Sequence, residues 1–89
     1  MPFEWDETKR AANIAKHGLD LIAGALLFDG RAVVTYPSPR GGEERFVSVG
    51  VLTDELVALV WTRRDDSVRL ISLRRARDGE KAAYRARVG

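Results

Sequence analysis

Residues 44–76 read ERFVSVGVLTDELVALVWTRRDDSVRLISLRRA, and the fold turns on this stretch. It contains three runs rich in β-branched and apolar residues: ERFVSVGVL (44–52), LVALVWTRR (56–64) and VRLISLRR (68–75). Asp54-Glu55 breaks the first pair of runs, and Asp65-Asp66-Ser67 breaks the second. Strand-forming runs joined by so few turn residues predict an antiparallel meander. Upstream, AVVTY (32–36) has the same texture and stops at the Pro/Gly loop PSPRGG (37–42), which makes it a fourth strand. Side-chain alternation along 68–75 sets Val68, Leu70, Ser72 and Arg74 on one face and Arg69, Ile71, Leu73 and Arg75 on the other. Each face then mixes apolar residues with arginine. That pattern suits a strand packed at its middle whose ends line a basic groove. It equally suits a short edge strand with solvated arginines.

Helices flank the meander. FEWDETKRAANIAKHG (3–18) reads as a first helix, with Asp6 as N-cap, Glu7 in the first turn, and Lys16 and His17 in the last. Gly18 fits the left-handed position that ends such a helix. Asp20 can cap a second helix, LIAGALLF (21–28), apolar enough to be buried against the sheet; Gly24 is tolerable there if it permits close packing. RDGEKAAYRARV (77–88) reads as a final amphipathic helix capped near Asp78, and Trp5 and Trp61 are expected in the core. The predicted class is therefore α+β: two N-terminal helices, a four-stranded, mostly antiparallel sheet and a C-terminal helix.

Composition bounds the rest. Eighty-nine residues at 45% apolar and 31% charged describe one small globular domain, and the lack of cysteine removes disulfides and thiolate metal sites. The opening MPFEWDETKR is acidic and aromatic, unlike a leader, and no apolar run approaches membrane-spanning length, so a cytoplasmic protein with no membrane association is expected. Charge is unevenly placed. Residues 1–62 hold six Lys/Arg against nine acids, whereas residues 63–89 hold nine against four, and eight of those nine are arginine. A planar guanidinium matches phosphate bidentately and stacks on bases, so a polyanionic partner is one reading and a solvated basic surface the other.

Several chemistries have no residues to carry them. One histidine and no cysteine make no zinc site, and neither a G-x-S-x-G elbow nor a Walker phosphate loop occurs. RNA cleavage survives this pruning, because the ribose 2′-OH is itself the nucleophile. The protein need supply only a base, an acid and positive charge, and Lys, Arg, His, Tyr and Glu suffice without metal or cofactor.

Separated motifs then agree with one family. They are Trp5-Asp6 with Lys9 and Asn13, KHG (16–18), Phe28-Asp29, EER (43–45) with Gly50, Thr62, VRLISLRRA (68–76), and Glu80 with Tyr84. In this ordered set the chain resembles the BrnT-type toxins of type II toxin–antitoxin modules, small ribonucleases with a RelE-like fold. The resemblance spans essentially the whole chain. It implies one domain over 1–89 and an endoribonuclease that cuts mRNA and arrests growth. It also implies a cognate BrnA-type antitoxin, a ribbon-helix-helix-like DNA-binding protein that neutralises the toxin. Operator DNA would be reached only through that antitoxin. The catalytic candidates it implies are Lys16, His17, Arg69, Arg74 and Tyr84, and the RNA contacts it implies are Glu44, Arg45 and Ser72; Arg63 and Arg75 are further candidate RNA contacts. Within that set Arg69 and Arg74 are expected to hold the scissile phosphate, Lys16 or His17 to exchange protons, and Tyr84 to stack on a base or position a proton. The helix-end position of His17 favours the imidazolium form. Leu73 departs from the alanine more usual in the family, and the loop PSPRGGEER is unusually proline-rich. A non-catalytic nucleic-acid-binding or partner-binding module, such as a degenerate toxin, would show the same basic surface.

Overall fold

The meander forms as read. In the computed structural model, which describes residues 1–40 and 42–89, β3 (Arg45–Leu52), β4 (Glu55–Arg64) and β5 (Ser67–Arg75) pair antiparallel in succession. Gly41, in the expected Pro/Gly loop, lies outside the described residues. The first turn is tighter than expected: Leu52 pairs with Glu55, leaving Thr53-Asp54 as a two-residue loop with both φ positive, at 48° and 64°. Two positive φ values match the right-handed twist of the flanking strands. β2 (Val34–Pro37) joins β3 antiparallel, and past it Arg40 and Glu43 exchange main-chain hydrogen bonds of 3.2 and 3.0 Å.

Among the described residues the sheet has five strands, not four, and it is mixed. Phe3–Glu4 forms β1, running parallel to β5 through Val68 and Arg69, which gives the order β1-β5-β4-β3-β2. Sequence had assigned those two residues to the first helix. Two residues are too few to show a period, yet they fill main-chain hydrogen bonds that the outer edge of β5 would otherwise leave open. The helix itself, α1, runs Glu7–His17; the Asp6 carboxylate accepts from the amides of Thr8 and Lys9, and Gly18 ends it at φ 67°. Trp5 stays at the surface rather than folding into the core, 36% exposed with its indole N–H on Glu7, whereas Trp61 is buried.

The second helix is 3₁₀, not α, over Leu21–Phe28, with the Asp20 side chain accepting from the Ile22 amide. Its buried residues Leu21, Gly24 and Leu27 recur every third position, the period at which 3₁₀ side chains align in one row. That row lies on the sheet so closely that a Cβ on Gly24 would come within 2.6 Å of Leu59 Cδ1. Tertiary contact thus selects the tighter helix. α2 (Asp78–Val88) begins one residue earlier in capping terms than expected: Arg77 is the N-cap, and the Glu80 carboxylate bonds its N–H at 2.8 Å.

Two unequal cores result. α1 and the 3₁₀ helix cover one sheet face over Leu21, Leu59, Leu70 and Leu73, while α2 covers part of the other over Val47, Val49 and Ala58. The expected strand alternation fails at one place. Val60 pairs with Ser72 but Trp61 with Leu70, so Ile71 is an extra residue bulged out of β5. Downstream of it the faces exchange. Leu73 joins Val68 and Leu70 in the larger core, while Ser72 and Arg74 share the opposite face with Arg69. This resolves why neither predicted face was clean.

Candidate functional site

Six residues converge at one end of β5. Lys16 and His17 come from the end of α1, Arg74 and Arg75 from the end of β5, Arg77 from the cap of α2, and Arg40 from beyond β2. With Ser72 they line an open basin of about 670 Å³, and none of these lining residues is acidic. An adjoining groove of about 200 Å³ shares Arg40, Ser72, Arg74 and Arg77 with the basin and adds Tyr36 and Arg45.

Two contacts place α1 against this strand. Asn13, buried in the middle of α1, donates from Nδ2 to the carbonyls of Leu19 and Leu73, both at 2.8 Å, and its Oδ1 accepts from the Leu73 N–H at 2.9 Å. Arg75 Nη1 donates to the His17 carbonyl at 2.7 Å, satisfying one of the free carbonyls at the helix end. The abrupt stop at Gly18 leaves Lys16 exposed and His17 half-buried at the rim.

Arg74 is held by a buried carboxylate. Its Nη1 and Nη2 donate to the two oxygens of Glu80 at 2.7 and 2.9 Å, and Glu80 also accepts from the Tyr36 hydroxyl and the Arg77 N–H. Burial alone would raise the Glu80 carboxyl; Arg74, the Arg77 N–H and Tyr36 outweigh it and pull it to about 2. Arg74 is correspondingly held even more firmly protonated, chiefly through Glu80. Two of its five N–H groups are spent on the carboxylate. Its remaining donors keep a fixed orientation because the fork cannot rotate.

His17 corrects an expectation. Burial, then the charges of Lys16, Arg74 and Arg75, lower its imidazole below the ordinary 6.5. Desolvation, with the neighbouring cations adding to it, works against the imidazolium that the helix end was expected to favour.

The other sequence candidates fall elsewhere. Arg45 lines the groove and pairs with Glu43 at 3.2 Å, while Glu44 is exposed and offers its main-chain carbonyl to Thr62. Arg69 lies on the groove side of the sheet, level with Thr62 and Arg45, but is tied to Glu4 at 3.3 Å and lines neither hollow. Arg63 sits opposite Val68 beside Asp65 and Asp66, away from the basin. Tyr84 packs under α2 on the smaller core and faces Asp29, Arg31 and Val51. Sequence reasoning missed Arg40, Arg77 and Tyr36 as lining residues and Glu80 as the clamp. Only Glu80 left a trace, three residues after Arg77 at capping-box spacing.

Comparison with known families supplies the remaining step. The family model described as "Ribonuclease toxin, BrnT, of type II toxin-antitoxin system" matches residues 5–80. No curated protein matches the chain. The matched region takes in α1, the whole meander and the Arg74–Glu80 clamp, and stops short of Tyr84. With most of its length inside that model, the chain belongs to the BrnT family of ribonuclease toxins of type II toxin–antitoxin systems.

Proposed function

We propose that this protein is an endoribonuclease that cuts RNA by attack of a ribose 2′-OH on the adjacent phosphate, with the reacting phosphate seated among Lys16, His17, Arg74 and Arg75. The observation that carries this reading is the basin itself, where five Lys/Arg side chains and the single histidine meet with no acid among the lining residues. The step needs a base, an acid and stabilisation of developing negative charge. A neutral His17 takes the proton from the 2′-oxygen as that oxygen bonds to phosphorus. The P–O5′ bond then breaks, and Lys16 supplies the proton to the leaving 5′-oxygen. The products are a 2′,3′-cyclic phosphate and a 5′-hydroxyl. Arg74, fixed by Glu80, and Arg75 bind the phosphate oxygens, while Ser72 and Arg45 hold the flanking chain. Arg69 extends the cationic face beyond the groove. Glu44, Arg63 and Tyr84 have no part in this step, because they lie outside the basin.

In the cell such an activity acts in the cytoplasm, arrests growth and is neutralised by a cognate BrnA-type antitoxin that carries the operator-DNA contacts. An acidic or amphipathic antitoxin segment over the basin would block it, with affinity falling as salt rises. The test is incubation of antitoxin-free protein with an end-labelled RNA oligonucleotide in the presence of a chelator. Cyclic-phosphate product is expected, and a 2′-deoxy nucleotide at the cut position should abolish it. Binding without cleavage would leave a non-catalytic nucleic-acid module as the reading.

A further inference from the structure

The groove beside the basin has a built floor and an unexplained aromatic. Tyr36, Val47, Val60 and Ser72 stand level with one another on β2, β3, β4 and β5 and form a row across the sheet. α2 does not cover this row completely, and the four residues line the groove with Arg45 and Arg74 at its rim. Tyr36 remains 37% exposed and lines the groove although its hydroxyl is occupied by Glu80. The residue is anchored at both ends, by strand pairing with Val47 and by the hydroxyl bond to Glu80. Its ordering cost is therefore met before any ligand arrives.

Resting on the ribonuclease reading above, we propose that the Tyr36 ring is a platform on which one unpaired nucleobase of the substrate stacks, next to the phosphate held by Arg74. Every base has a π face, and stacking on an aromatic side chain does not require a particular sequence. The apolar floor of Val47 and Val60 suits a base, and the cationic rim suits the backbone on either side of it. The groove and basin share Arg40, Ser72, Arg74 and Arg77, so a base on Tyr36 and a phosphate in the basin belong to one continuous path. Trp61 is buried and Tyr84 lines neither hollow, which leaves Tyr36 as the aromatic lining this path among the described residues.

The experiment is a binding cycle on the full chain, free of antitoxin. The probes are a 2′-fluoro-substituted RNA oligonucleotide, which lacks the attacking hydroxyl, and the same oligonucleotide with one abasic position scanned along it. Tyr36→Leu should weaken binding of the intact probe about tenfold and leave unchanged the abasic probe that mimics loss of the stacked base. Tyr36→Phe, which keeps the ring but gives up the hydroxyl bond to Glu80, should bind the intact probe more tightly than Tyr36→Leu. Equal weakening of both probes by Tyr36→Leu overturns the proposal, as does a Tyr36→Phe chain that binds as poorly as Tyr36→Leu. If the leucine variant does not fold, the wild-type chain decides: the Tyr36 ring resonances must shift with the intact probe and stay in place with the matching abasic one. A wild type that binds neither probe brings down the ribonuclease reading too. One that binds and cleaves RNA without this coupling overturns the platform alone.

Discussion

Asn13 pairs with Leu73 as a neighbouring strand would: its side-chain amide donates to the Leu73 carbonyl at 2.8 Å and accepts from the Leu73 N–H at 2.9 Å. β1 covers only Val68 and Arg69 on that edge of β5, so one buried side chain completes the edge further along. The same contact fixes the height of α1 on the sheet. It thereby sets Lys16 and His17, one turn later, beside Arg74 and Arg75.

Asn13→Ala should destabilise the fold by about 2–3 kcal/mol, because it leaves the Leu73 N–H and C=O without partners in a buried position. Asn13→Asp should be worse, since a carboxylate would face the carbonyls of Leu19 and Leu73. Urea denaturation of the two variants measures both the cost and the order.

Arg74→Ala is a stability variant as well as an activity variant. It strands the Glu80 charge, which is 7% exposed, and should cost about 3 kcal/mol. Adding Glu80→Gln should recover much of that cost while cleavage stays lost. A double-mutant cycle read by thermal melting and by RNA cleavage separates the two effects.

Glu80 also sets the acid limit of the fold. Its carboxyl falls from an ordinary 4.5 to about 2 on folding, so its stabilisation is complete above about 4.5 and disappears as pH falls towards 2. Wild type should therefore lose stability over that window more steeply than Glu80→Gln. Parallel denaturation series from pH 6 to pH 2 show whether the two curves converge.

His17 titrates in the opposite sense to a helix-capping histidine. Its folded value lies below 6.5, so the unfolded chain binds the proton first. Stability from this group is present above 6.5 and declines as pH falls through the lowered value. Removing a charge with Lys16→Gln should move the His17 NMR titration upward, towards 6.5. The acid limb of the wild-type cleavage profile should follow the same His17 titration. An imidazole that titrates above 6.5 in the wild type would assign dominance to the helix dipole instead.

Gly24→Ala should destabilise by about 1–3 kcal/mol, since its Cβ would lie 2.6 Å from Leu59 Cδ1 in the fully buried core. Leu59→Val withdraws that atom, so the double variant should lose less than the two single costs added together. Melting temperatures of the three variants check this.

The sequence by itself determined the features whose causes are local. The β-branched runs fixed the meander, Asp6 and Gly18 bounded α1, Asp20 capped the segment after it, and the charge count placed the cations in the last third of the chain. It also carried the family, through motifs in fixed order. Tertiary structure decided what depends on distant partners. The two residues of β1 are too short to show a period, and Leu21–Phe28 became 3₁₀ because the sheet accepts one row of side chains at every third position. The bulge at Ile71 has no local mark, yet it moves Leu73 into the core and turns Ser72 and Arg74 to the groove. The basin draws on residues from Lys16 to Arg77, and no spacing along a chain reveals that meeting. Only the closing of the sheet, with Asn13 plugging its edge and Glu80 clamping Arg74, brings those cations together. Burial at the basin rim, and after it the charges of Lys16, Arg74 and Arg75, lowers His17, so the protonation state of the one histidine was a tertiary property from the outset.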